Sequence, residues 1–137
     1  MASYKIPDKR LIRIISTFPR SSIIVVGDSM LDEYIWGDVR RISPEAPVPV
    51  VTVESRSYRL GGAANVVNNL TSIGVSAHLV SLCGNDDDGT TLKEQLSSAG
   101  CPFDGIVSSP GRKTTVKTRI MAKHQQIARV DSETAMQ

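Results

Sequence analysis

At 137 residues, with 40% hydrophobic and 22% charged residues, the chain is long and apolar enough for one globular domain with a real core. A net charge of +2 and an aromatic content of 4% argue against a broad nucleic-acid footprint and a row of base-stacking platforms. Cys83 and Cys101 lack CxxC spacing and read as free thiols of a reducing compartment. No apolar run approaches membrane-spanning length, and an N-terminus holding Lys5, Asp8, Lys9, Arg10 and Arg13 is not a secretory signal pattern. A cytoplasmic protein is expected.

In chain order, Leu11, Ile12, Ile14, Ile15 and Phe18 fall mostly on one helical face, with Asp8 as a cap and Pro19 as the stop. Ser22 to Val26 is a β-branched run that predicts a strand buried on both faces, ended by Gly27-Asp28. From Ile35 to Leu60 short β-prone pieces (Val39 to Ile42, Val48 to Val53, Ser57 to Leu60) are separated by Pro44, Pro47 and Pro49, which predicts a peripheral flap. Ala63, Val66, Val67, Leu70 and Ile73 recur at helical spacing and Gly74 closes that helix. A second buried strand follows over Ala77 to Leu82, ending at Gly84, with His78 expected in the core. Asp88 is placed to cap a helix carrying Leu92, Leu96 and Ala99, with Gly100 at its end. Short strands are predicted over Gly105 to Val107, Thr114 to Met121 and Gln126 to Val130, with His124 in a turn before the last. Strands alternating with helices predict a parallel α/β sheet, whose ligands bind beyond the carboxyl ends of the strands.

The chemistry-bearing residues gather at those ends. Gly61-Gly62-Ala63-Ala64-Asn65 opens a helix: glycines admit a close backbone approach, the helix start offers free N–H groups, and asparagine suits a sugar hydroxyl. The same pair also serves as a tight strand-to-helix turn. Asp28 and Asp32 follow the first strand; Asp28 reads equally as a turn cap, while Asp32 reads as a ligand contact. Lys117 and Arg119 share a strand face, either as a solvated surface or as a phosphate site; Arg40, Arg41, Arg56, Arg59 and Arg129 carry the same two readings. Asp86-Asp87-Asp88 lacks the ligand alternation of an EF-hand and fits a helix N-terminus instead. Neither GxxxxGK[ST] nor GxGxxG occurs.

Together these pieces resemble the PfkB/ribokinase family of sugar kinases. Gly61, Gly62, Asn65, Gly74 and Gly84 match its N-terminal signature, with Val67 where a small residue is usual. Within the family, the heptose 7-phosphate kinases are the nearer match. That likeness rests on Val26-Gly27-Asp28-Ser29-Met30-Leu31-Asp32-Glu33-Tyr34, on Arg41-Ile42-Ser43-Pro44-Glu45-Ala46-Pro47-Val48-Pro49-Val50, on the glycine segment, on Thr114 to Arg119 and on His124 to Asp131. Lys113 and Val116 depart from the usual proline and threonine.

The resemblance implies a ribokinase-like three-layer αβα fold, here its N-terminal portion, with a small β-lid over about residues 35–60 and 112–121. It implies ATP, with Mg, as the phosphoryl donor to the anomeric hydroxyl of heptose 7-phosphate, on the way to ADP-heptose and lipopolysaccharide core. Asp32, Gly61, Gly62 and Asn65 would bind the sugar, and the lid would pair two copies; charge and shared strand face, not the resemblance, point Lys117 and Arg119 at the substrate's phosphate. The family's catalytic Gly-Ala-Gly-Asp motif does not occur in these residues. The expectation is therefore a sugar-holding half with no catalytic residues, no firm ATP site and no kinase activity of its own, exposing a bare sheet face or edge. The other readings are a non-catalytic sugar-phosphate-binding or oligomerisation module, and a kinase half for a different sugar.

Overall fold

β1 (Ser22–Val26) forms on the β-branched run and pairs in parallel with β4 (Ser76–Gly84), Ile24 opposite His78 and Val26 opposite Val80. β5 (Ile106–Ser109) extends this sheet on the other side of β4, also in parallel. The computed structural model describes residues 7–134. Two helices feed this sheet: α2 (Gly62–Ser72) and α3 (Asp87–Ser98). Ala64 and Val67 of α2 and Leu92 and Leu96 of α3 are fully buried with Ala77, Leu79 and Cys83 of β4.

The burial alternates strictly along β4, and this corrects two expectations. Ala77, Leu79, Ser81 and Cys83 face the helices, whereas Ser76, His78, Val80 and Leu82 are exposed. His78 is therefore a surface residue, not a core one. β1 is likewise covered on one face only: Ile24 is 67% exposed and Val26 75%, and on β5 Val107, opposite the exposed Leu82 of β4, is 59% exposed. α2 and α3 lie on the opposite side, and α1 (Asp8–Ile15) buries none of its residues. A β-branched run states that a strand is sheltered, but what covers its second face is not written in the strand itself.

Helix boundaries shift slightly. Pro7 occupies the N-cap of α1 and Asp8 is its first helical residue; the helix stops at Ile15, and Pro19 sits in a following 3₁₀ turn (Phe18–Arg20). In α2 the buried stripe is narrower than predicted, with Val66 and Ile73 about half exposed. Asp86, not Asp88, caps α3, its carboxylate accepting from the Gly89 amide at 2.8 Å.

The flap is larger than its prolines suggested. β2 (Ser29–Ile42) starts directly after Gly27-Asp28 and runs antiparallel to β3 (Pro49–Gly61), with bulges after Trp36 and Val39. Pro44 and Pro47 lie in the connection and Pro49 begins β3, so the prolines punctuate the turn and leave the strands whole. β6 (Val116–Ala122) pairs in parallel with β2, and β7 (Gln125–Ser132) pairs antiparallel with β6, giving the order β3-β2-β6-β7. Leu31, Leu60 and Val116 at the root of this second sheet are buried in the same cluster as α2 and α3. Just above them the buried Glu33 accepts from Thr118 Oγ1 at 2.7 Å, Arg56 at 3.1 Å and Tyr58 Oη at 3.4 Å. Three donors on one carboxylate tie β2, β3 and β6 together where the second sheet leaves the core.

Candidate functional site

The corner between β1, β2 and α2 is built on two glycines with different tasks. Gly62 has φ +56°, and a Cβ there would lie 2.4 Å from the Asp28 carbonyl oxygen, which instead accepts the Ala63 amide at 2.8 Å. Only glycine fits that turn without strain. Gly61, at the N-cap of α2, makes no side-chain cap, and a Cβ on it would lie 3.0 Å from Asp32 Oδ2. The absent side chain leaves the carboxylate and the helix start open to each other.

Asp32 projects from β2, level with Arg59 of β3 and Lys117 of β6. Its Oδ1 accepts from Arg119 Nη1 at 2.5 Å. That hydrogen bond is the main reason the Arg119 pKa is raised, against the opposing effect of burial. Two residues along the same face, the Tyr34 ring stacks on Trp36 with centroids 5.9 Å apart. The guanidinium carbons of Arg59 and Arg119 lie 5.2 Å and 5.3 Å from the Tyr34 centroid. Lys117 is turned toward Asp131 at 3.2 Å and Glu133 at 3.7 Å, and Asp131 also binds Arg129 at 2.9 Å. The Asp131 pKa is lowered, first by the hydrogen bond from Arg129 and further by Lys117, with burial acting against both.

A cleft of about 530 Å³ joins Asp32 to Asn65. Tyr34, Tyr58 and Arg59 line its lid side, Asn68 lies one turn along α2 from Asn65, and Gln95 and Ser98 come from α3. Of the residues singled out from sequence, Asp32, Arg59 and Asn65 share this cleft; Gly61 packs against Asp32 and Gly62 forms the turn against Asp28, neither lining the cleft, and Lys117 and Arg119 are each held against a carboxylate. Asn68, Gln95 and Ser98 were not foreseen. The i, i+3 spacing of Asn65 with Asn68 and of Gln95 with Ser98 is the signal that places each pair on one helix face. A carboxylate, three amides and a hydroxyl at one mouth supply the acceptors and donors a polyol requires.

The end of β4 carries a second polar node. The Asp86 carboxylate accepts from Thr114 Oγ1 at 2.6 Å and the Thr114 amide at 2.9 Å, besides capping α3, and Thr114 Oγ1 accepts from the Gly84 amide at 2.8 Å. This locks the entry to β6 against the core. Among the described residues no group of three or more His, Cys, Asp or Glu is placed to hold a metal ion.

A parallel α/β core whose Gly-Gly corner faces a second, mostly antiparallel sheet across a polar cleft is a ribokinase-like α/β fold. The pfkB family carbohydrate kinase model matches residues 20–137, and the chain belongs to that family. At the level of individual proteins it is 48% identical over 121 residues to the bifunctional protein HldE of Magnetococcus marinus and 49% identical over 114 residues to that of Campylobacter curvus. It covers 88% and 83% of its own length in these matches but only 25% and 24% of theirs, so it spans about a quarter of these relatives. A carbohydrate kinase from Agrobacterium tumefaciens superposes with TM-score 0.67 at 20% identity, covering 82% of this chain and 35% of that one. Arabidopsis thaliana ribokinase complexed with ribose and ATP gives 0.64 at 18% identity, with the same coverage of 82% and 35%. These solved structures establish the fold.

Proposed function

We propose that the chain is the sugar-holding part of an ATP-dependent heptose 7-phosphate kinase, which phosphorylates the anomeric hydroxyl on the route to ADP-heptose. One observation carries the reading: Asp32 and Asn65, far apart in sequence, line one polar cleft beneath the lid in a chain 48% identical to an HldE protein. Asp32 accepts from a pair of sugar hydroxyls through the oxygen that Arg119 leaves free, Asn65 bonds a further hydroxyl, and Gly61 and Gly62 keep the approach open. Lys117 and Arg119 reach the substrate's phosphate by exchanging their carboxylate partners for it. The lid excludes water that would otherwise compete for a phosphoryl group.

The chain has no phosphoryl-transfer activity alone, since none of its residues is assigned to ATP or to the base. Two copies pair through the lid, whose outer strand β7 is exposed along its whole length and carries Ile127 and Val130. The same exposed strand favours the second reading, a module that binds or assembles without catalysis.

Calorimetric titration with heptose 7-phosphate and with ribose 5-phosphate, beside an ATP-turnover assay, tests these points. The expected result is saturable binding of the heptose phosphate, weaker binding of the ribose phosphate and no turnover. Binding of neither sugar overturns the sugar reading in favour of a pure interaction module. Turnover by the chain alone overturns its inactivity.

A further inference from the structure

The cations of the lid are mostly spoken for. Arg119 is held by Asp32, Lys117 by Asp131 and Glu133, Arg129 by Asp131, Arg56 by Glu33 and Arg40 by Asp38. Arg59 differs. It is exposed, it is the only cation lining the cleft among the described residues, and no carboxylate among them pairs with it. Its guanidinium rests 5.2 Å from the centre of the Tyr34 ring, which fixes the group by cation–π attraction while leaving its N–H edge free to donate. The neighbouring carboxylate, Asp32, is already neutralised by Arg119, so the charge of Arg59 stands uncancelled at the mouth of a cleft whose remaining polar lining is amides and hydroxyls.

We propose that Arg59 is the first cation to meet the phosphate monoester of a sugar phosphate entering this cleft, and so selects phosphorylated over free sugar. The inference rests on the sugar-phosphate reading above and adds to it a residue that needs no prior partner exchange. Lys117 and Arg119 must each give up a carboxylate before binding an anion, whereas Arg59 already offers a planar donor edge suited to bidentate contact. Tyr34 acts as the platform that holds it.

Affinities of the intact chain for heptose 7-phosphate and for unphosphorylated heptose, with and without Arg59→Ala, test the proposal. The expected result is a loss of roughly tenfold or more for the phosphorylated sugar and no change for the free sugar. Arg59→Lys, which keeps charge without the fork, falls between, and Arg40→Ala, which removes another exposed lid arginine, changes neither affinity. An equal loss for both sugars, or no loss for either, overturns the assignment. If the unaltered chain binds neither sugar, the sugar reading fails separately, and inorganic phosphate then decides the anion site. Trp36, the single tryptophan, stacks on Tyr34 and reports occupancy by fluorescence. A saturable phosphate response lost in Arg59→Ala supports the site, and a response that is absent or persists in Arg59→Ala overturns it.

Discussion

Gly62 and Asp86 show how much of the site depends on single atoms. A methyl group at position 62 meets the Asp28 carbonyl and a left-handed backbone, so Gly62→Ala is expected to destabilise the chain by about 1–3 kcal/mol in urea denaturation. Asp86 is a carboxylate held by three donors: burial raises its pKa, but the hydrogen bonds from the Thr114 side chain and amide and from the Gly89 amide outweigh this, and the net shift is downward from 3.8. A depressed folded pKa contributes stability that is complete above the unfolded value and is lost as pH falls through the folded one. Stability is therefore expected to drop below about pH 4, and to drop less steeply in Asp86→Asn, which has no proton to gain at this position. A pair of denaturation series between pH 2 and pH 7 measures the difference; parallel curves would show that Asp86 does not contribute. Neither Arg59 nor Asp86 was distinguishable from its neighbours in sequence, because the partner that marks each one, Tyr34 or Thr114, is remote in the chain.

The elements divide by how local their signal is. α2, α3, β1 and β4 were legible because apolar period and closing glycines are short-range features, and their bounds shifted by only a few residues. The lid was only half legible. Its three prolines read as interruptions, yet two lie in one connection and the third only begins β3, and the length of β2 depends on cross-strand pairing with β3 and β6 that no local pattern encodes. α1 is amphipathic but buries nothing, which its sequence did not disclose. An element without buried contacts opens locally, so the amides of Leu11 to Ile15 are expected to exchange with solvent orders of magnitude faster than those of Leu31 and Leu60. Exchange followed by mass spectrometry or NMR checks this; equal protection would mean that α1 is held by something more than its own hydrogen bonds.

At the scale of the whole molecule, the central feature is an asymmetric sheet. One face of β1-β4-β5 is packed under α2 and α3, and the other presents Ile24, Val26, Val80, Leu82 and Val107 to solvent. An apolar face of this kind favours association. Sedimentation of the isolated chain is expected to show mass rising with concentration beyond the lid-paired dimer, and Val80→Glu combined with Leu82→Glu to hold it at the dimer, since both side chains lie on the open face and outside the core. A monodisperse monomer at all concentrations would contradict this. No helix among the described residues is long and apolar enough to cross a membrane. The proposed function belongs to the junction of this sheet with the second one, where the Gly61–Asn65 corner and Asp32 of β2 are proposed to hold a sugar phosphate. Calorimetric titration of heptose 7-phosphate into the chain and into Asp32→Asn tests it most directly. Saturable binding, weakened roughly tenfold by loss of the Asp32 charge, is the predicted result; no binding, or binding that Asp32→Asn leaves unchanged, would contradict it.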